Sequence, residues 1–299
     1  MQAREDDQAV PGQASWWKVK EAQMTKTVVI TGSTRGLGFG LAADFLRQGH
    51  QVVVSGRAQS NADAAAARLL EEDASAGDCI LSHACDVRDY SQVQSLWDAA
   101  VERFGRVDVW INNAAVATAE VDFTEHDPET IDAILDTNLS GTLFGCHVAA
   151  RGMLDQGGGF IYNMEGWGSR GESRAGSTLY GSSKAGAAYF TKTLERELAD
   201  TSVRLASINP GMVMTEMLVD STRPGREENM RRIINILGDS VDTVSPWLVQ
   251  RILENDRHGA RITWLKPAGV LWRFLTARFR SRKIADDIEF LDKPAQKRP

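Results

Sequence analysis

Tyr180 and Lys184 are the residues of this chain whose types and spacing best fit a chemical step. They are four positions apart in a segment of helical periodicity, so both side chains lie on one helix face. A phenol has a pKa of about 10 in water, and a neighbouring ammonium group lowers that pKa. Such a pair can deliver a proton to a carbonyl oxygen while a hydride reaches the carbon. Because the spacing also occurs by chance in exposed helices, its interpretation depends on the rest of the chain.

A glycine-rich turn lies near the start of the chain and follows an apolar run directly. Its glycines permit a tight turn, a close approach of the backbone to a pyrophosphate, and close packing of the next helix. The helix N-terminus then directs unpaired N–H groups at the phosphates. We therefore predict a dinucleotide site at Gly32, Ser33, Thr34, Arg35, Gly36, Leu37 and Gly38.

Two arginines indicate which dinucleotide binds. The second apolar run ends in Ser55-Gly56-Arg57, without the acidic residue that usually holds a ribose 2′-hydroxyl in NAD enzymes. Arg35 and Arg57 instead offer guanidinium groups, which suit a phosphate. The sequence favours NADP(H); the alternative is that both arginines are ordinary solvated residues.

Short apolar runs alternate with amphipathic helical segments from residue 26 onward. Most runs are too continuous for half-exposed strands and are typical of parallel strands buried on both faces. The pattern predicts one Rossmann-type, doubly wound parallel sheet of about seven strands, with helices on both faces. The runs are Val28–Thr31, Val52–Ser55, Cys79–His83, Val107–Asn112, Phe160–Met164, Val203–Asn209 and Arg261–Leu265, and the helical segments are 36–48, 61–73, 90–104, 128–155 and 178–200.

Composition excludes several classes of function. The 299-residue chain has a formal net charge of −6, whereas nucleic-acid-binding proteins usually need a basic face, so we predict no nucleic-acid partner. Its three cysteines have neither metal-ligand nor disulfide spacing, which predicts no metal site and a reducing compartment. No apolar stretch is long enough for a membrane span. We expect a flexible tail at 1–24, a catalytic domain at 25–266 and a C-terminal extension at 267–299.

Further motifs accompany the glycine turn and the Tyr180–Lys184 pair. Asp86-Val87, Asn112-Asn113-Ala114-Ala115, Asn138 and Pro210-Gly211-Met212-Val213-Met214-Thr215 occur in that order along the chain. Together they resemble the short-chain dehydrogenase/reductase family over about residues 25–265. The resemblance implies cofactor contacts at Asp86 and Val87 for the adenine, at Asn113 and Ala114 for the adenosine side, and at Pro210, Val213 and Thr215 for the nicotinamide.

The same resemblance implies the catalytic roles. Tyr180 would be the acid/base, and Lys184 would bind the nicotinamide ribose and lower the pKa of Tyr180. Asn138 would support a proton-relay water. It falls on the apolar stripe of its helical segment, where a buried amide needs hydrogen-bond partners.

One departure from the family concerns the group that polarises the substrate carbonyl. The family usually carries a serine after the fifth strand, but here the segment reads Asn163-Met-Glu-Gly-Trp-Gly-Ser169. The usual serine position is held by Glu165 or Gly166, and Ser169 is the nearest hydroxyl. We assign the polarising role to Ser169, with Glu165 as the alternative.

That departing segment resembles the Asn-(Met/Ile)-Asp-Gly-x-Gly-Ser loop of chlorophyll b reductases, a plant and algal branch of the same family. The stretches Asn235–Asp239, Trp264–Pro267 and Arg273–Thr276 also look like that branch. The resemblance implies NADPH-dependent reduction of the formyl group of chlorophyll b. One alternative is reduction of another bulky apolar carbonyl compound, such as a steroid or an oxoacyl thioester. Another is a nucleotide-binding sensor that has lost catalysis.

The C-terminal extension carries apolar residues at helical spacing among basic ones. The apolar positions are Ala268, Leu271, Trp272, Leu275 and Phe279. Such a helix can lie on a membrane or a pigment–protein surface through residues 268–283, or it can pack on its own domain or on a second copy. We expect a homo-oligomer with a chlorophyll-type substrate. Because the acidic tail differs from a transit peptide, we expect a soluble cytoplasmic protein, or a plastid protein if a transit peptide has been removed.

Overall fold

The core of the protein is a parallel sheet of seven strands, seen in a computed structural model that describes residues 24–223, 225–278 and 282–285. The strands are β1 Thr27–Ile30, β2 Gln51–Gly56, β3 Ile80–Ala84, β4 Val109–Asn112, β5 Gly159–Met164, β6 Val203–Asn209, β7 Met212–Val213, β8 Gly238–Asp239 and β9 Arg261–Thr263. The sheet order is β3-β2-β1-β4-β5-β6-β9, and β7 pairs with β8 in a separate ribbon. The predicted fold class is confirmed.

Helices cover both faces of this sheet. They are α1 Gly36–Arg47, α2 Gln59–Glu72, α3 Tyr90–Phe104, α4 Pro128–Leu135, α5 Gly141–Asp155, α6 Thr178–Glu197, α7 Glu216–Asp220, α8 Glu227–Leu237, α9 Val241–Glu254 and α10 Pro267–Thr276. Strand β1 illustrates the packing, because Val28, Val29 and Ile30 are all fully buried. Val28 and Ile30 pack with residues of α1 and α9, and Val29 packs with residues of α3 and α5.

The segment predicted as one helix over 128–155 is interrupted. It begins as expected, with Pro128 in the first turn and the Asp127 carboxylate accepting a hydrogen bond from the Thr130 N–H at 2.7 Å. Between α4 and α5, however, residues Asp136–Ser140 form a π-helical turn. Such turns insert one extra residue into a helix and are frequent at functional sites. This one contains Asn138.

The region between β6 and β9 holds elements that the sequence analysis did not predict. They are β7, β8, α7, α8 and α9. Two of the strands have only two residues each, and α7 has five. Elements this short carry too few residues for a periodic pattern. Helix α9 also contains Pro246, which is a helix breaker by sequence.

The C-terminal extension contains a helix, as expected. Helix α10 presents Leu271, Trp272, Phe274 and Leu275 to solvent. On its inner side, Arg273 forms an ion pair with the buried Asp239 at 2.8 Å. Phe279, Arg280 and residues 1–23 lie outside the described residues. The domain boundaries at residues 24 and 266 stay predictions. Among the helices of the described ranges, none combines the length and the apolar character that a membrane span requires.

Candidate active site

Tyr180 and Lys184 lie side by side on α6, close to the carboxyl end of β5. The Lys184 Nζ atom donates a hydrogen bond to the backbone oxygen of Met164, the last residue of β5, at 3.2 Å. The same Nζ atom is 6.0 Å from the centroid of the Tyr180 ring. Lys184 is 4% exposed, so its charge acts from within the protein. Ligands of open α/β sheets bind beyond this edge of the sheet.

Burial decides the protonation of the pair. It raises the pKa of Tyr180 to about 12 and lowers the pKa of Lys184 to about 8, against the opposing charge of Glu165. The sequence analysis expected Lys184 to lower the pKa of Tyr180; the shift in the structure is upward, and its cause is desolvation of the phenol. Tyr180 is therefore a neutral phenol near pH 7, which is the form that can donate a proton.

Asn138 is fully buried and joins α6 to the loop after β4. Its Oδ1 atom accepts the Val116 N–H at 2.8 Å, and its Nδ2 atom donates to the Val116 oxygen at 2.9 Å. The same Nδ2 donates to the Ser183 hydroxyl at 3.1 Å. All polar atoms of the amide have partners, so Asn138 fixes the position of Ser183 between Tyr180 and Lys184.

A buried chain of amides that the sequence analysis missed links β4, β5 and α6. Asn112 accepts from the Trp110 indole at 2.8 Å and donates to Asn163 at 2.8 Å. Asn163 donates in turn to the Thr191 hydroxyl at 2.9 Å. The sequence signal for these hydrogen bonds was the presence of Asn112 and Asn163 near the ends of two apolar runs, because a buried amide needs hydrogen-bond partners. This series of hydrogen bonds holds the ends of β4 and β5 in register behind the site.

Gly166 lies directly against the Tyr180 hydroxyl. A Cβ atom on Gly166 would be 2.5 Å from the Tyr180 Oη atom and 3.4 Å from the Lys184 Cε atom. Of the two residues that could hold the family's serine position, Gly166 is the one beside the tyrosine. Ser169 supports this glycine, because its hydroxyl accepts the Gly166 N–H at 3.0 Å. Its second hydrogen bond, to the Lys184 oxygen, is long at 3.5 Å.

Glu165 forms an ion pair with Arg261 on β9. The Arg261 Nε atom lies 2.8 and 2.9 Å from the two carboxylate oxygens, and Asn209 donates to one of them at 3.2 Å. Burial would raise the pKa of Glu165, but the hydrogen bonds and charge of Arg261 outweigh it and hold the pKa below its usual range. Glu165 is therefore ionised and has no proton to donate.

The glycine turn forms a narrow cradle against the loop after β4. A Cβ atom on Gly32 would be 2.8 Å from the Ala114 Cα atom, and one on Gly38 would be 2.5 Å from the Asn113 Nδ2 atom. Asn113 also donates hydrogen bonds to the oxygens of Thr31 and Gly32, at 2.9 and 3.0 Å. The turn and the Asn113-Ala114 motif are therefore in direct contact. A side chain at either glycine would collide with that loop.

The N-terminus of α1 opens toward this cradle. Arg35, at the N-cap position, makes no side-chain capping hydrogen bond, and the first turn has no acidic residue. A Cβ atom on Gly36, which has a φ of 57°, would be 3.4 Å from the Thr215 Cγ2 atom. Thr215 therefore lies across from the turn, and Val213, which also follows Pro210, is buried. An uncapped helix end and a glycine cradle fit the pyrophosphate of a dinucleotide.

Ser33 differs from its neighbours in the turn because it is fully buried. Its hydroxyl donates to the Ile30 oxygen at 2.7 Å and accepts the Ser55 N–H at 2.9 Å. Ser33 therefore joins β1 to β2. Thr34 packs at the end of β2, where a Cβ atom on Gly56 would be 2.6 Å from the Thr34 Cγ2 atom. Leu37, the next predicted contact along the turn, is partly buried against the core.

The two predicted phosphate-binding arginines have different surroundings. Arg35 forms an ion pair with Glu216 of α7 at 2.6 Å, and both side chains are more than half exposed. Arg57 is exposed at the end of β2. The pKa of Asp86 is lowered, first by its hydrogen bond with Arg88 and to a smaller extent by the charge of Arg57. Arg57 thus lies on the side of the cradle that Asp86 occupies.

Neighbouring residues fix the two predicted adenine contacts, Asp86 and Val87. Asp86 binds Arg88 through both carboxylate oxygens, and its N–H donates to the Gln92 side chain at 2.9 Å. Val87 is buried, and a Cβ atom on Gly141 would be 2.7 Å from it. Within the described ranges, no cluster of side chains could hold a metal ion.

Comparisons with known proteins agree with this arrangement. The short chain dehydrogenase family matches residues 26–225. A probable chloroplastic chlorophyll(ide) b reductase of Arabidopsis thaliana is 33% identical over 88% of the chain. The chain spans about half of that relative, 55% of its length. A chloroplastic chlorophyll(ide) b reductase of Oryza sativa subsp. japonica is 31% identical over 95% of the chain and 81% of its own length.

Two further proteins widen the comparison. A 3beta-hydroxysteroid dehydrogenase 1 of Eggerthella lenta is 34% identical over 64% of the chain and 71% of its own length. The crystal structure of a 3-ketoacyl-(acyl-carrier-protein) reductase from Brucella melitensis, complexed with NADH, superposes with a TM-score of 0.69. It is 24% identical and covers 80% of this chain and 96% of its own, so the likeness concerns the fold alone.

The chain belongs to the short chain dehydrogenase family, since the family match covers most of its length. The predictions of the family and of a short-chain oxidoreductase are therefore confirmed. The roles assigned to individual residues stay predictions, although the structure brings most of them to one edge of the sheet.

Proposed function

We propose that this chain is an NADPH-dependent reductase of the formyl group of chlorophyll b, which it converts to the hydroxymethyl group of 7-hydroxymethyl chlorophyll a. The observation that carries the proposal is the similarity to two plant chlorophyll(ide) b reductases over 88% and 95% of the chain. Those matches are longer than the family match at residues 26–225. They therefore include C-terminal residues outside the part that the whole family shares.

The proposed cofactor is NADPH, and the residues of the cradle fit it. Gly32 and Gly38 let the turn pack directly on the loop after β4, and the uncapped N-terminus of α1 would receive the pyrophosphate. Arg35 and Arg57 flank the turn and would receive the 2′-phosphate, with Arg35 leaving Glu216 to do so. When bound, the cofactor supplies the hydride.

The proposed chemistry uses the neutral phenol of Tyr180. Its proton passes to the carbonyl oxygen as negative charge develops there. Lys184, held by the Met164 oxygen, keeps a positive charge beside the phenolate that remains. Asn138 positions this pair through Ser183 and would support the relay that restores the proton.

Ser169 is the proposed donor to the carbonyl oxygen. Its hydroxyl proton is directed at the Lys184 oxygen over 3.5 Å, which is a weak hydrogen bond. A substrate oxygen near Gly166 would compete well for that proton. Glu165 is unsuited to the role because it is ionised, and its charge would oppose the developing oxyanion.

The experiment that tests the function is reduction of chlorophyll b with NADPH by the purified protein. We expect the formyl-dependent absorption to disappear, and we expect Tyr180→Phe to prevent this. A protein that leaves chlorophyll b unchanged while reducing another bulky carbonyl compound contradicts the proposal.

A second candidate is reduction of a steroid or another bulky apolar ketone. It is favoured by the 34% identity with the Eggerthella lenta hydroxysteroid dehydrogenase. That match covers 64% of the chain, which is less than the plant reductases reach. Presenting both substrates to one preparation distinguishes the two functions by their kcat/KM values.

The proposed pigment substrate agrees with a contact between α10 and an anionic membrane surface. Leu271 and Leu275 are 61% and 62% exposed on this helix. The exposed cations Lys266, Arg278 and Lys283 lie close by in sequence and would attract acidic lipid. We expect cosedimentation with anionic but not with neutral vesicles; binding to a pigment–protein complex alone would contradict this. The same proposal includes a homo-oligomer, located in the cytoplasm or, where a transit peptide has been removed, in a plastid; ultracentrifugation and fractionation would test these two points.

A further inference from the structure

Trp167 lies at the candidate active site, but none of the proposed chemistry uses it. It directly follows Gly166, whose α-carbon faces the Tyr180 hydroxyl. Its side chain is 43% exposed, although a large apolar ring normally gains free energy by burial. An exposed indole one residue from the glycine that contacts the proton donor calls for an explanation in terms of the ligand that binds at this site.

The backbone on both sides of Trp167 is fixed. Before it, the Gly166 N–H is held by the Ser169 hydroxyl at 3.0 Å. After it, Gly168 has a φ of 96° and packs so closely on α6 that a Cβ atom there would be 2.5 Å from the Gly181 Cα atom. The backbone is therefore fixed on both sides of Trp167, one residue from the glycine that contacts the Tyr180 hydroxyl.

The ring itself is held by a cation. The guanidinium carbon of Arg174 is 4.9 Å from the centroid of the Trp167 ring. Arg174 also forms an ion pair with Glu120, in the loop after β4. The Glu120 N–H donates in turn to the oxygen of Ser221, at the end of α7, at 3.1 Å.

These contacts define a rim around the candidate site. Trp167 belongs to the loop after β5, Glu120 to the loop after β4, and Ser221 to the segment after β6. Ligands of open α/β sheets enter between such loops, beyond the carboxyl ends of the strands. An indole fixed on this rim presents an aromatic surface to the part of a substrate that adjoins its carbonyl group.

We propose that Trp167 is a specificity-determining residue that stacks on the flat, conjugated ring system of a carbonyl substrate. The inference rests on the proposed carbonyl reductase site, but it does not require that the substrate be chlorophyll b. Offset-stacked aromatic pairs gain binding free energy beyond the area they bury. A saturated ring or an alkyl chain of equal size gains only the burial, so Trp167 distinguishes flat conjugated carbonyl compounds from saturated ones.

The test compares two variants and two small carbonyl probes. Trp167→Leu removes the aromatic ring but keeps an apolar side chain, and Trp167→Phe keeps an aromatic ring. The probes are 2-naphthaldehyde, which is flat and conjugated, and 2-decalone, which is saturated and of similar size. For each protein we would measure kcat and KM with NADPH, and the Kd of each probe by calorimetry.

We expect Trp167→Leu to raise KM and Kd for naphthaldehyde about 3- to 10-fold, the range that stacking free energies of this kind imply. The kcat for naphthaldehyde, the constants for decalone and the Kd of NADPH should change little. Trp167→Phe should recover most of the loss. Tyr189→Leu is the matched control, because Tyr189 is 73% exposed and is half a helical turn out of phase with Tyr180 on α6.

Several outcomes would overturn the inference. These are equal effects of Trp167→Leu on both probes, a Phe variant as impaired as the Leu variant, or a wild-type protein that binds naphthaldehyde no tighter than decalone. Failure of the proposed function is a separate result. A wild-type protein that does not reduce chlorophyll b refutes that function, while the comparison of the two probes still decides the role of Trp167.

Discussion

The α-carbon of Gly166 and the hydroxyl of Tyr180 are so close that a Cβ atom on Gly166 would lie 2.5 Å from Oη. Real Cβ atoms do not approach an oxygen this closely, so any larger residue at 166 has to displace the tyrosine hydroxyl. The glycine thereby sets the position of the candidate proton donor. Ser169 and the Glu165–Arg261 ion pair fix the loop around it.

Gly166→Ala should therefore lower kcat while leaving NADPH binding unchanged. Its methyl group would push the Tyr180 hydroxyl away by about an ångström, and a displacement of that size can cost on the order of 100-fold in rate. Stopped-flow hydride transfer and the Kd of NADPH are the measurements. Gly77→Ala is the matched control, since nothing lies within 4 Å of a Cβ atom there. Full activity of Gly166→Ala would mean that Tyr180 is not the donor or is not confined.

Tyr180→Phe should abolish turnover and leave NADPH binding nearly intact. The phenolic proton is needed in the transition state and not for cofactor affinity, and loss of a well-placed acid costs about 10²–10⁴-fold. The two measurements are kcat with any reducible substrate and the Kd of NADPH by fluorescence. A variant with wild-type kcat would refute the catalytic role of Tyr180.

Local patterns in the sequence predict most of this architecture. The continuous run at Val28–Thr31 predicts a strand buried on both faces, and the structure buries all four residues. Elements whose existence depends on distant partners could not be predicted in this way. The π-helical turn contains Asn138, whose amide forms hydrogen bonds with Val116 and Ser183, both far from it in sequence.

The same distinction applies to the candidate site: features set by local spacing could be predicted, and features set by distant partners could not. Residue types and spacing predict the Tyr180–Lys184 pair, because a helix brings positions four apart together. The partner of Glu165 could not be predicted, since Arg261 is on another strand, 96 residues away. Without that partner, the sequence left open whether Glu165 is protonated. The direction of the Tyr180 pKa likewise depends on burial, which only the packed structure reveals.

Glu165→Gln should move the pH dependence of turnover to lower pH. Burial lowers the pKa of Lys184 to about 8, and the charge of Glu165 acts in the opposite direction. Removing that charge lowers the Lys184 pKa further. Because the proposed mechanism needs a protonated Lys184, the variant should lose activity at a lower pH than the wild-type protein. The measurement is kcat from pH 6 to 10, with Glu172→Gln as control.

Ser169→Ala should behave differently from Glu165→Gln. It removes the proposed donor to the carbonyl oxygen, so we expect lower kcat at every pH and no shift of the profile. Losing one such donor costs on the order of 10²–10³-fold in other enzymes. A fully active Ser169→Ala protein beside an inactive Glu165→Gln protein would reverse the assignment.

Arg57→Asp combined with Arg35→Ser should weaken NADPH binding far more than NADH binding. A 2′-phosphate would lose two cations and face a carboxylate, and hydrogen bonds to charged groups contribute roughly 1.5–3 kcal/mol each. The ion pair of Arg35 with Glu216 adds a second expectation. Glu216→Gln frees Arg35 and should lower the Kd of NADPH modestly without affecting NADH. Equal effects on both cofactors would show that these arginines do not bind the phosphate.

Asp239→Asn should release the C-terminal extension without unfolding the rest of the protein. Asp239 is 4% exposed and accepts hydrogen bonds from Trp264 at 2.7 Å, from Arg273 at 2.8 Å and from Arg282. Because an amide presents one acceptor oxygen and no charge, the two arginines lose their counter-ion. Removing one partner of a fully buried pair costs about 3–5 kcal/mol. These arginines are 23% and 29% exposed, so we expect about 1–3 kcal/mol.

The measurements are the thermal midpoint and limited proteolysis. The midpoint should fall by roughly 2–4 °C per kcal/mol lost, and cleavage should begin within residues 267–285. The Kd of NADPH should change little, because the pairing of β7 with β8 and the hydrogen bond from the Met214 N–H to the Asp239 oxygen involve only backbone atoms. Asp256→Asn, at an exposed position, is the control. An unchanged midpoint with an intact extension would mean that Asp239 does not anchor α10, and that apolar packing around Ala285 holds the extension instead.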